Sequence, residues 1–583
     1  MRHFAIALFA LAALTGGLMG CASLVKPAPP ISANPPRVVQ LSSRKTDEAS
    51  FRSAAEPEAN GDESCVDSLY VSCRRAWEQM LASPAGDAHT SRVLQRYNEQ
   101  VAALLQSAQQ FGRFDLARGL LIRSETGWLT VPVVARGFAQ QASEFHRFRW
   151  PPLDREPLLT RRYGRAGAGV PLVLERRRND ADPSEVRFLP ESSYFAATAV
   201  LTFADDDAVL ELVNPLVENK IDLGTGPQPL AADLSAPLAV TLEEAPRTYL
   251  AGFVEPGGAT SAAALTCVRP HQSGKVPLVL VHGLFSDPLS WADLINDLQA
   301  APGFDQRFQV WVFRYPTGQG FLQSAAVLRR ELAAAIDAFD SQRGDPALRQ
   351  VVLIGHSMGG LVSKLQVTYS EELVWSRLAD RPLHEIVTTE ETRAVLAETC
   401  FFDPSPDVAR VIFIASPHHG SLLSSGLIGQ AAALLVEPSP AQASMHEQLI
   451  RDNPGTFNPL FERRFPTSID MLSPKSPLLE AMHKMRIRSG VKLHNIIGVT
   501  HPVSLDGPSD GVVSVRSASH PDCRSVCPVS APHAKAHRAL ETSAEILRIL
   551  GCSNGQAGEV STKELPDVPS EQAYPTRQET VRH

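Results

Sequence analysis

The chain has 583 residues, of which 44% are hydrophobic and 20% charged, with 45 prolines. That apolar share excludes a wholly disordered or collagen-like protein, and the length predicts more than one domain. Lysine and arginine total 55 against 63 acidic residues, a formal net charge of −8. The basic footprint of a nucleic-acid binder is missing, so no nucleic-acid partner is expected. Arginine clusters at Arg161, Arg162 and Arg165 and at Arg176 to Arg178 read as solvated surface charge.

Residues 1–20 read as an address. Arg2 and His3 precede an apolar run from Phe4 to Leu18, which at about fifteen residues falls short of the roughly twenty that span a bilayer. This is the pattern of a secretory signal peptide. The run ends Leu18-Met19-Gly20-Cys21, which resembles the lipobox of bacterial lipoproteins. The resemblance implies cleavage before Cys21 and its lipidation, with Ala22 favouring the outer membrane over the inner. Export would place Cys65, Cys73, Cys267, Cys400, Cys523, Cys527 and Cys552 in an oxidising compartment. Cys65 with Cys73 and Cys523 with Cys527 are the expected disulfides, leaving an odd thiol. Neither pair has the four ligands of a zinc site, and no metal is expected.

Residues 21–63 hold the lipidated cysteine, five prolines between Pro27 and Pro36, and a polar stretch, a composition that predicts a flexible tether. From Ser64 the pattern changes. Val66, Leu69, Tyr70, Cys73, Trp77 and Met80 recur every three or four residues, as do Val93, Tyr97, Val101 and Leu105, which predicts two amphipathic helices. Short β-rich runs follow at Trp128 to Val134, Val170 to Leu174, Tyr194 to Phe203, Val209 to Val213 and Arg247 to Phe253. Residues 64–255 are therefore expected to form a helical, then β-rich N-terminal domain. They carry no chemical motif.

Beyond Gly257-Gly258, apolar runs at Pro277 to Val281, Val310 to Phe313, Val351 to Ile354, Val411 to Ala415 and Val491 to Val499 alternate with helical stretches such as Phe321 to Phe339. Strands buried on both faces with crossover helices predict a mostly parallel α/β sheet over residues 256–552. Residues 553–583 are polar and read as a disordered tail.

Gly-x-Ser-x-Gly occurs around Ser357, Ser509 and Ser553. A nucleophile elbow needs an apolar strand before the serine and a helix after it. Ser357 has both, in Val351-Val352-Leu353-Ile354 and Gly360-Leu361-Val362-Ser363. Ser509 follows a polar loop and precedes an apparent strand, and Ser553 opens the tail. Gly355-His356-Ser357-Met358-Gly359-Gly360 resembles the GHSMGG elbow of α/β-hydrolase lipases and esterases, a similarity running from about Val276 to Leu550. The resemblance implies an oxyanion hole made by the main-chain N–H groups of Leu284 and Met358. His282 and Gly283 then form the oxyanion loop, with His282 in a structural role.

A serine hydroxyl needs a base and an orienting acid, which in this fold follow in the order Ser, Asp, His. The resemblance places the acid at Asp510, in Asp510-Gly511-Val512-Val513; Asp506 and Asp522 compete. His533, just beyond the last strand, is the expected base, with His537 the alternative. His418 and His419 lie at the same sheet edge as supporting candidates. The long separation of Ser357 from Asp510 leaves insertions near 367–406 and 421–484, the second including apolar Leu422 to Val436. They are expected to cap an acyl pocket. The expectation is a lipid-anchored serine hydrolase of hydrophobic carboxylic esters, needing no cofactor. An acyltransferase or thioesterase with the same triad, or a non-catalytic envelope binding lipoprotein, stands as the alternative.

Overall fold

Apolar spacing of three and four turns two segments into helices, Cys65–Leu81 and Ala88–Gln110, which pack on each other and bury Val66, Tyr70, Cys73, Trp77 and Met80 against Val93, Tyr97, Val101 and Leu105. The computed structural model describes residues 62–552, except 83–87, 126, 153–158, 206, 225, 245–262, 319, 422–439, 464–466 and 501–506, together with the strand Arg44–Lys45. The signal sequence, Cys21, the Arg247 to Phe253 run, Asp506, the Leu422 to Val436 stretch, Ser553 and the tail lie outside the described residues.

The helices cover a five-stranded sheet ordered Val133–Arg136, Asp207–Val213, Ser192–Ala204, Val170–Arg177 and Arg147–Arg149. Tyr97 joins the two layers: its buried hydroxyl donates to the Leu201 carbonyl at 2.6 Å and accepts the Leu201 N–H at 2.9 Å. One short strand falls within residues 21–63. Arg44–Lys45 pairs antiparallel with Gly127–Val131.

The disulfide expectation is also corrected: the cysteines from Cys65 to Cys552 are free thiols. Cys65 and Cys73 sit eight residues apart on one helix, about 12 Å along its axis. A disulfide needs Cα atoms within roughly 7 Å. Cys523 packs into the core on one face of the large C-terminal sheet and Cys527 into the core on the other.

The second half is built on seven strands: β1 Ala264–Cys267, β2 Val276–Val281, β3 Phe308–Arg314, β4 Val351–His356, β5 Val408–Ile414, β6 Lys492–Gly498 and β7 Ser525–Val529. They lie in the order β1-β3-β2-β4-β5-β6-β7, all parallel except β1, an antiparallel edge strand. Alternation along the strands divides the core. Val279, Val281, Leu353 and Phe413 face helices α2 (Phe321–Phe339) and α3 (Met358–Lys364). Leu278, Leu280, Ile354 and Ile412 face α1 (Ala292–Ala300) and α4 (Leu540–Leu550). The insertion helices Glu390–Cys400, Pro440–Asp452 and Pro477–Lys484 add Leu396, Leu449 and Leu479 to the α2 side.

The two halves are joined through α1, which is polar yet buried. Asp297 accepts both Arg161 Nε and Nη2, at 2.7 and 2.6 Å, with the Tyr163 hydroxyl at 2.8 Å and the Ser543 hydroxyl at 2.5 Å. Asp293 takes the Thr160 N–H and Arg538, and Asn296 bonds to Ser235 and the Arg161 carbonyl. Buried charge is tolerated only when paired and hydrogen-bonded, so α1 requires residues 160–163 of the N-terminal half beside it. Phe188, Leu189 and Leu238 of that half also enter the two cores that flank the seven-stranded sheet.

Candidate active site

Strand β4 runs straight into α3, and the residue between them takes the bend. Ser357 has φ 53° and ψ −126°, a conformation that costs a non-glycine residue of order 1–3 kcal/mol and persists only where packing enforces it. Packing does enforce it. A Cβ on Gly355 would lie 2.4 Å from the Gly359 carbonyl oxygen, one on Gly359 would lie 2.1 Å from that of Val281, and one on Gly360 would lie 1.8 Å from Ser416 Oγ. The glycines let α3 press against β2 and β5 while its first turn stays open.

Ser357 is held under a histidine. His533, opening a turn beyond β7, lies with Nε2 2.9 Å from Ser357 Oγ and Nδ1 2.7 Å from Asp510 Oδ2. A carboxylate accepts, so Nδ1 carries the proton and Nε2 is free to accept from the serine hydroxyl. Asp510 is buried, and its other oxygen takes the N–H groups of Val512 and Val513 at 2.9 and 2.7 Å. The His533 N–H in turn donates to the Asp510 carbonyl at 3.0 Å. Three residues from the ends of β4, β6 and β7 thus form one hydrogen-bonded chain.

The surrounding histidines have other work. His282 donates Nδ1–H to the Gly283 carbonyl at 3.1 Å and receives the Tyr315 N–H on Nε2 at 3.4 Å, while the Tyr315 hydroxyl donates to the His282 carbonyl at 2.6 Å. Burial pushes its imidazole down to about 4. Both nitrogens are committed to shaping the Gly283–Leu284 loop. That loop abuts Ser357, since a Cβ on Gly283 would sit 3.0 Å from the Ser357 Cβ. Met358 is the first residue of α3, where main-chain N–H groups have no intrahelical acceptor.

His537 points away from the serine. It donates Nε2–H to the Ser290 carbonyl at 3.1 Å, and burial, with Arg538 nearby, lowers its pKa to about 3. His356 is buried between the rings of His533 and His537 and donates Nε2–H to the His533 carbonyl at 3.0 Å. Burial and then the two neighbouring imidazoles hold it well below the ordinary histidine pKa. The local sequence carries no sign of this bond, because His356 and His533 are far apart in the chain. His418 lies near His520, and His419 near His483. Among the described residues neither bonds to Ser357, and Asp522 stands beside His520 and Lys364. Ser509 is followed by a bridge to Ser514 and the helix Val515–Ala518, where a strand was expected; its Oγ instead accepts the Gly511 N–H.

Strand order, crossover helices and the strained serine turn define an α/β-hydrolase domain in the C-terminal half, preceded by a helical and β-rich region. Residues 278–515 match the alpha/beta hydrolase family. Among solved structures the chain is similar to the mature form of Bacillus licheniformis lipase BlEst2, with 16% identity over 49% of this chain and 97% of that one, at a TM-score of 0.30. It is also similar to a lipase-esterase related protein from Clostridium acetobutylicum, with 12% identity over 49% and 98% and a TM-score of 0.26. Phospholipase PlaB from Legionella pneumophila aligns at 15% identity over 48% and 60%, with a TM-score of 0.28. No curated protein sequence is significantly similar to the chain.

Proposed function

We propose that the protein is a lipid-anchored serine hydrolase that cleaves hydrophobic carboxylic esters. The observation that supports this reading best is the hydrogen-bonded chain from Ser357 Oγ through His533 to Asp510. In the proposed reaction Ser357 Oγ attacks the ester carbonyl as His533 Nε2 takes its proton. Asp510 holds the tautomer and stabilises the imidazolium. The main-chain N–H groups of Leu284 and Met358 take the developing oxyanion. His533 returns the proton to the departing alkoxide, leaving an acyl ester on Ser357. Water, deprotonated by the same nitrogen, then releases the acid and restores the serine.

The insertions around 367–406 and 421–484 supply the apolar cover for an acyl chain. Lipidation at Cys21 would hold the domain at the cell envelope, most simply the outer membrane. Two or more acyl chains bind a bilayer stably at about 0.8 kcal/mol per buried methylene.

The test is labelling of the full-length protein with a fluorophosphonate, beside Ser357→Ala, with the modified peptide identified. A mark on Ser357 lost in the variant, followed by turnover in an acyl-ester series, is the expected result. No mark on folded protein, with or without detergent, would sink the catalytic reading. Product analysis with an added alcohol acceptor separates hydrolysis from acyl transfer.

A further inference from the structure

Behind the nucleophile helix lies a buried group of hydrogen-bond donors that the proposed reaction does not use. Lys364, the last residue of α3, is 2% exposed, and His418 and His520 are 3% and 7% exposed. The rings of His418 and His520 stand 4.9 Å apart, both against Phe413. His520 accepts the Asp522 N–H on Nδ1 at 3.3 Å, so its ring proton is on Nε2. Both ring nitrogens of His418 are sealed from solvent without a hydrogen-bond partner among the described residues. The Asn495 amide lies close enough to favour a protonated His418 ring, but not in bonding geometry with either nitrogen.

The Lys364 ammonium has no hydrogen bond or ion pair with any described residue; Asp522 and Cys523 act on it only through space. Burial lowers Lys364 to about 8, so at neutral pH it stays charged. Burial also raises the Cys523 thiol to about 12, and it supplies no counter-charge. On the outer side, exposed His419 and His483 with Arg516 add further positive or neutral donors.

A buried cation whose nearest carboxylate, Asp522, acts only through space and forms no ion pair with it is costly, and orphaned polar groups in folded proteins are met by an ion or water. A metal ion does not suit a site centred on an ammonium, and among the described residues no three His, Cys, Asp or Glu side chains are arranged to hold one. We propose that Lys364, His418 and His520 form a binding site for a chloride-sized monovalent anion. The ammonium supplies the charge, and the ring N–H groups of the two histidines supply direction. The anion would tie the end of α3 to the segment after β5, where Ser416 already touches Gly360. This site does not depend on the hydrolase reading and is tested without activity.

The experiment is thermal melting of the full-length protein at pH 7 and constant ionic strength while gluconate is replaced by chloride. A saturable rise in Tm of several degrees is expected, and bromide should reproduce it while sulfate does not. Lys364→Met keeps the length of the side chain without its charge and should melt cooperatively with no chloride-dependent rise. Bromide-soaked wild-type crystals give a second readout that needs no variant: an anomalous peak between Lys364, His418 and His520. A linear chloride response, the same saturation in Lys364→Met, saturation by sulfate alone, or no bromide at that position would each overturn the proposal.

Discussion

The ring of His356 donates its Nε2–H to the main-chain carbonyl of His533, 3.0 Å away. The residue preceding Ser357, the proposed nucleophile, thereby holds the backbone of the residue proposed as its base. His356→Phe keeps the ring volume but strands that carbonyl. One such bond contributes about 0.5–1.5 kcal/mol, so kcat should fall by about two- to tenfold with KM unchanged. A KM effect with intact kcat would place His356 in substrate binding instead.

His533 and His537 separate cleanly by substitution. His537→Gln retains a side-chain donor for the Ser290 carbonyl and should keep fluorophosphonate labelling of Ser357. His533→Ala should abolish it. Asp510→Asn, which removes the acceptor that fixes the His533 tautomer, should lower kcat by about 10⁴. Equal labelling of the His533 and His537 variants would remove the distinction.

The elbow glycines admit no side chain. A Cβ at position 359 would meet two main-chain carbonyls, at 2.1 and 2.4 Å, and overpacking of this kind costs about 1–3 kcal/mol or more. Gly359→Ala should lower Tm and eliminate labelling together, because the clash moves α3 away from β2. Gly455→Ala is the control, since a Cβ there meets nothing within 4 Å; it should leave labelling intact despite the strain of its positive φ.

Acid should destabilise the fold before the carboxylates titrate. His282 and His494 are lowered to about 4, and His520 and His537 to about 3, by burial first in each case. Unfolded, each would titrate near 6.5. Between pH 6.5 and about 4 the unfolded chain therefore binds more protons, and stability falls as pH falls through that window. The urea midpoint in gluconate buffer should be lower at pH 5 than at pH 7. Equal midpoints would mean these rings are protonated in the folded protein.

Asp297 gathers Arg161, Tyr163 and Ser543 at one buried carboxylate. Asp297→Ala leaves a partly buried guanidinium without its partner and should cost about 3–5 kcal/mol. Because the bond joins the two halves, both should unfold in one transition at a lower urea concentration. A separate early transition of the N-terminal half would show that it folds independently.

Local chemistry makes much of the C-terminal half legible in the amino-acid order. The runs beginning at Pro277, Val310, Val351, Val411 and Val491 are apolar enough to be strands buried on both faces, and each lies within a strand of the sheet or extends one residue or so past its end. The glycines around Ser357 announce a turn that side chains would block. β1 escapes notice because its four residues draw their stability from pairing with β3 rather than from any periodicity of their own. The Cys65–Cys73 expectation fails for the opposite reason: nearness in sequence on a helix is distance in space. The meeting of Ser357, Asp510 and His533 is settled by strand order, which carries the ends of β4, β6 and β7 to one edge. The same holds for His356 on the His533 carbonyl, for Arg161 on Asp297 and for Lys364 among histidines. Such juxtapositions bring together residues separated by tens to hundreds of positions, and only the packing of the whole chain determines which groups meet.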